Sequence, residues 1–138
     1  MRTIIIILIL LTSNLCFSES AEEFVQRYLE IRNNSDIDAY LKIVHPKCIE
    51  HFNSEGKADF PKNIFLAFRR RLGKSPEDAK VKISKFIEGK TKLIYPISPT
   101  HKFSVSWEVD GRNKGISDSN IIFDQDTWFI VVPYYPKP

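Results

Sequence analysis

Cysteine is nearly missing from this chain: Cys16 and Cys48 are the only two in 138 residues. A disulfide framework as the source of stability is therefore excluded. Glycine is scarce too, with five residues. There is no glycine-rich loop to cradle a phosphate and no Gly-x-Ser-x-Gly elbow to present a nucleophile. The three histidines, His45, His51 and His101, share no short helical or strand spacing that would bring two of them to one zinc ion. No metal site and no cofactor is expected. Neither sign of charge dominates. Twenty Lys and Arg against seventeen Asp and Glu give a formal charge of +3, too small to make a nucleic-acid surface.

Long apolar runs are equally few, and each of the two carries an expectation. The first, residues 4–11, follows Met1-Arg2 and precedes small residues, with Ser18 and Ser20 suited to cleavage. That layout is a secretory signal peptide, too short in its apolar part to span a bilayer comfortably. The expected organisation is a signal peptide over 1–18, removed on export to the periplasm or outside the cell, and one domain over 19–138. Leu15 is larger than the residue that usually precedes a lipidated cysteine. Once Cys16 leaves with the leader, Cys48 is alone and is expected to be buried. The second run, residues 128–135, is rich in β-branched and aromatic side chains. Both alternating sets of its side chains are apolar, so a strand here has no watery face. One side is expected on the helices and the other under a second copy, giving a homodimer through the outer face of strand 128–135.

Between these runs the periodicity changes from helix to strand. Ser20-Ala21-Glu22-Glu23 reads as a capping box ahead of a helical stripe at Phe24, Val25, Tyr28, Leu29 and Ile31. Asn33-Asn34 ends that helix, and Ser35 starts a second through Ile37, Leu41 and Val44, stopped by Pro46. Residues 48–52 read as a short strand. Asp59 is a cap candidate for a third helix, with Pro61 in its first turn, a stripe at Ile64, Phe65, Phe68 and Leu72, and Gly73 as its stop. Strands follow: Val81 to Ile87, a turn at Glu88-Gly89-Lys90, a strand through Leu93 and Tyr95, then Phe103, Val105, Trp107 and Val109 alternating with polar residues. Asp110-Gly111 is a hairpin turn, and Ile116 to Phe123 leads through Asp124-Gln125-Asp126 into the last run. The expected class is α+β: three N-terminal helices packed on a strongly curved antiparallel sheet of four or five strands.

This order resembles the nuclear transport factor 2-like, or cystatin-like, superfamily over about residues 20–135. The resemblance rests on the helix pair joined at Asn33-Asn34-Ser35-Asp36-Ile37-Asp38, on Cys48-Ile49-Glu50-His51-Phe52, and on the closing strands at Asp126-Thr127-Trp128-Phe129-Ile130-Val131. It implies a cone-like fold with a cavity between sheet and helices, and frequent dimerisation through the outer sheet face. The superfamily includes isomerases, dehydratases, hydrolases and proteins with no chemistry, so the fold does not choose a function.

His51 is the one candidate catalytic residue, a general base if Asp36 or Asp38 reaches it. Glu50 and Cys48 would point away from it along a strand. His45 sits at a helix end, where a cation suits the dipole, and His101 is expected at the surface. Tyr28, Tyr40, His51, Trp107 and Trp128 are the ligand-binding candidates, as walls of an apolar pocket or as plain core. Arg69, Arg70 and Arg71, with Lys62 and Lys74, make a helix end basic enough for an acidic partner or simply match its dipole. Asn33-Asn34-Ser35 fits a glycosylation acceptor. The leading expectation is an exported, non-enzymatic module for a small apolar ligand or a partner protein. The alternative is a small cavity enzyme working by proton transfer at His51.

Overall fold

A computed structural model describes residues 17–89 and 92–135. Nearly all of the expected leader and Lys90 of the expected turn lie outside these residues. The described chain is α+β, in the order α1 (Ala21–Asn33), α2 (Ile37–Ile43), α3 (Pro46–Ser54), α4 (Phe60–Leu72), β1 (Lys80–Lys85), β2 (His101–Val109), β3 (Arg112–Asp124) and β4 (Thr127–Val131).

α1 begins on the capping box. The Ser20 hydroxyl accepts from Glu23 N at 3.1 Å, and the Glu23 carboxylate accepts from Ser20 N at 2.8 Å. Its buried face is Phe24, Val25, Tyr28, Leu29 and Arg32. α2 starts one residue later than expected: Asp36 is the cap, accepting from Ala39 N at 3.0 Å, while Ser35 turns the chain at φ +54°.

Residues 48–52 form part of a helix, α3, so four helices stand where three were expected. The physical reason is the proline. Pro46 restrains His45 to an extended conformation, which ends α2, yet at the first turn of the next helix its missing N–H costs nothing. Cys48 and Phe52, four apart, then share the buried face. α4 ends as read, on Gly73 at φ +69°. Asp59 stands at its cap position without a side-chain bond, and Phe68 turns toward solvent, 40% exposed.

The sheet has four antiparallel strands in the order β1-β2-β3-β4. On β2, Phe103, Val105 and Trp107 are buried, and α1 lies on them: Tyr28 meets the Phe103 ring edge-on at 5.5 Å between centroids. Asp110 and Gly111 both take positive φ, at +51° and +71°, which the tight β2–β3 hairpin needs. Gln125 and Asp126 repeat the device between β3 and β4, at +51° and +62°.

Two strand expectations fail. The segment through Leu93 and Tyr95 joins no ladder except by a single bridge, Ile94 to Tyr134, with two hydrogen bonds of 2.9 Å. Its role is cover: the Tyr95 hydroxyl accepts from Asn120 Nδ2 at 3.1 Å, and its ring meets Phe86. The last strand is shorter than the 128–135 run and stops at Val131.

Both sides of β4 find cover within this one chain. Trp128 packs toward Phe24 on one side, while on the other the His45 ring meets Phe129 edge-on at 4.9 Å. Ile130 and Val131, on opposite sides, are both buried. Val44 pairs in parallel with Ile130, and His45 N donates to Ile130 O at 2.9 Å, so the free edge of β4 is partly covered as well.

Candidate functional site

A cavity of about 270 Å³ lies between α4 and the last strands. α4 supplies Phe60, Ile64, Phe65 and Phe68, one stripe at helical spacing. β3 supplies Ser119 and Asn120, and residues 130–132 continue the wall. Leu93, Pro133 and Tyr135 stand at the rim, held by the Ile94–Tyr134 bridge. Tyr28 from α1 and Tyr40 from α2 complete the lining, and the Tyr40 ring stacks on Phe65 at 4.4 Å.

Among the described residues no Asp, Glu, Lys, Arg or His lines this cavity. Its polar groups there are neutral: Tyr28, Tyr40 and Tyr135, Ser119, and the Asn120 carboxamide, whose Nδ2 is held by Tyr95. Burial pushes the Tyr28 phenol up to about 12, against a smaller opposing pull from Arg32. Burial raises Tyr40 as well, helped by neighbouring Tyr28 and Cys48. Both phenols therefore keep their protons at any ordinary pH. A concave apolar site with a few neutral polar tips is suited to holding a small uncharged molecule. It offers no group that would take a proton from carbon near neutral pH.

Of the five ligand-binding candidates, the structure brings Tyr28 and Tyr40 together here. His51 lies outside, in a surface notch of about 110 Å³ with Glu55, Lys57 and Tyr134, its ring stacked on Tyr134 at 4.2 Å. Asp36 is occupied capping α2. Trp107 is buried in the core, and Trp128 donates its indole N–H to Glu19 O at 3.0 Å. Because 48–52 is helical, Cys48 and His51 share a helix side after all, but Cys48 is fully buried. Burial pushes its thiol up, with a backbone bond to Val132 opposing weakly, so the thiolate a nucleophile needs is disfavoured. Sequence reasoning missed the α4 wall as a lining. The available signal was Phe60, Ile64 and Phe68 at i, i+4 and i+8; the stripe read as core contains Ile64 and Phe68 but not Phe60.

His45, Arg32, Asn33 and Arg69 make structural contacts. His45 caps the N-terminus of α3: Nδ1 accepts from Lys47 N at 3.1 Å, which leaves Nε2 to donate to Asp124 at 2.8 Å. The expected dipole-matched cation at a C-terminus is thus a neutral ring at an N-terminus. Arg32 is fully buried, donating to Ser75 Oγ at 2.9 Å and Gly73 O at 3.0 Å, with Nε alone unpaired. Desolvation lowers its pKa, partly offset by Tyr28, and nearby Arg69 lowers it further. Asn33 exchanges two hydrogen bonds with the Ser75 backbone, so the amide nitrogen a glycan would need is already used. In the basic run, Arg69 donates to Arg32 O at 3.0 Å, closing the end of α1, while Arg71 lies over the Phe68 ring. Among the described residues no three His, Cys, Asp or Glu gather as a metal site, and no helix is long and apolar enough to cross a membrane. Comparison of the chain with family models, with curated proteins and with solved structures finds no match.

Proposed function

We propose that this protein is an exported, non-enzymatic module that binds one small, uncharged, largely apolar molecule between α4 and the closing strands. The observation that carries this reading is the cavity lining: about 270 Å³ of mostly aromatic and aliphatic wall, without one acidic or basic side chain among the described residues. An anion or cation brought inside would lose its hydration without gaining a counter-charge. The proton-transfer alternative has less support, because His51 stands outside the cavity against Tyr134. Membership of the nuclear transport factor 2-like superfamily belongs to the same proposal. It is supported by the order of helices before strands and by a cavity between helix and sheet.

Export is supported by the sequence of residues 1–18. Glu19, just after them, is held to the folded body through Arg27 in two 2.8 Å hydrogen bonds and through Trp128. Intact mass of the protein recovered from cells should correspond to loss of about the first eighteen residues.

The binding reading is tested with N-phenyl-1-naphthylamine, an uncharged dye that brightens in apolar surroundings, and by native mass spectrometry of gently purified protein. Dye emission should rise with the wild type and fall back in Ile64→Trp, which fills the cavity from its α4 wall. A wild type that carries no added mass and leaves the dye dark would refute the reading.

A further inference from the structure

We propose that the cavity selects a neutral ring compound bearing a hydrogen-bond acceptor oxygen, of the ketone class, which takes both its donors from Tyr28 and Tyr40. This rests on the binding reading above and narrows it. Tyr28 and Tyr40 are 6% and 3% exposed, and both line the cavity. Their rings are fixed by packing against Phe103, Phe65 and each other. Neither hydroxyl makes a hydrogen bond to another described residue, and neither is fully enclosed: among the described residues the one fully enclosed unpaired side-chain atom is Arg32 Nε. Buried phenol O–H groups normally find a partner, because leaving one unmet forfeits its hydration.

The chemistry of the partner follows from the donors. Burial keeps both phenols protonated, so each offers an O–H. A phenol oxygen, its lone pair drawn into the ring, accepts less well than it donates. A carbonyl oxygen has two lone pairs and can take both donors at once. A carboxylate would also accept, but no cationic group among the described residues lines the cavity to balance it. Size and wall set the rest. A dry cavity of roughly 150 Å³ holds benzene, so about 270 Å³ suits one ring or two fused rings. Aromatic faces from Phe60, Phe65 and Phe68 favour a flat skeleton.

Isothermal titration of the protein with three compounds of one skeleton size tests this: 1-tetralone, its parent hydrocarbon tetralin, and 1-naphthoate. Tetralone should bind about tenfold more tightly than tetralin, the value of one or two well-placed neutral hydrogen bonds, and naphthoate more weakly than either. Tyr28→Phe and Tyr40→Phe should each erode the preference for tetralone, and the double variant should abolish it, with tetralin affinity unchanged in all three. Equal binding of tetralone and tetralin by the wild type, a comparison that needs no variant, would overturn the acceptor inference yet leave the cavity reading standing. Naphthoate binding as tightly as tetralone would overturn it too. Failure of all three compounds to bind would bring down the cavity reading and this inference with it.

Discussion

A buried phenol ties folding to pH, and Tyr28 does so in a window that can be measured. Its folded value is about 12 against an ordinary 10.0. Above pH 10 the unfolded chain has released this proton while the folded chain still holds it, so the folded state binds more protons and stability falls as pH rises. The contribution is whole below pH 10 and is lost between about 10 and 12, on the order of 2 kcal/mol for this group. Tyr40, raised by the same cause, acts in the same direction. Urea unfolding across that window should therefore show a steep decline in the wild type and a shallower one in Tyr28→Phe. Parallel curves would show that Tyr28 is not the coupled group. Arg32 is the other residue on which stability turns. Removing it in Arg32→Ala deletes the bonds to Ser75 Oγ and Gly73 O, leaving Asn33 to hold Ser75 to α1, and should lower stability by about 3 kcal/mol, read from the urea midpoint. None of this was legible from Arg32 itself, since its partners lie more than forty residues along the chain.

At the scale of elements, what the sequence made legible was what is local. The capping box of α1, the alternation of β2 and the Asp110-Gly111 turn all depend on residues within a few positions of each other. The box and the turn form as read, and the alternation holds through Trp107 but not at Val109, which is exposed. α3 was misread because Pro46 serves two helices at once, ending one and opening the next, and because the His45 cap is completed by Asp124, 79 residues on. His45→Ala should cost about 1–2 kcal/mol, the worth of a helix cap. His45→Asn, which keeps an acceptor for Lys47 N, should recover most of it in the same urea titration. Equal losses in both would assign the stability to the Asp124 contact instead. Glycines separate the two regions of the β2–β3 ribbon. Gly115 pairs with Ser106 beside the register shift between Phe103 and Val105, where a Cβ would run into the Val105 carbonyl oxygen, backbone that cannot step aside cheaply. Gly115→Ala should cost about 2–3 kcal/mol. Gly111→Ala, in open space but at positive φ, should cost about 1 kcal/mol. A larger loss at Gly111 than at Gly115 would reverse that ranking, as thermal melts would show.

For the whole molecule, helices first and strands last was enough to place the chain in the α+β class. Of the cavity, Tyr28 and Tyr40 were legible but the full wall was not, because it comes from α1, α2, α4, β3, residues 130–132 and the two rim segments, which only the fold brings together. The same gap explains the homodimer expectation. From sequence, a strand apolar on both sides needs one cover from the helices and another from outside. In the folded chain the second cover is internal: the His45 ring lies on Phe129, Val131 is 1% exposed, and the Tyr95 segment reaches Asn120 beside it. A second copy would have to displace these contacts before gaining any of its own, and a stable interface needs on the order of 800 Å² per partner. Residues 19–138 should therefore sediment as a monomer at tens of micromolar. Phe129→Lys, placing a charge against the His45 ring, should lower the unfolding midpoint without changing the sedimentation coefficient of the folded species. A wild-type dimer that Phe129→Lys splits into stable monomers would instead show that this side of the strand is available to a partner, and that the internal cover yields to it.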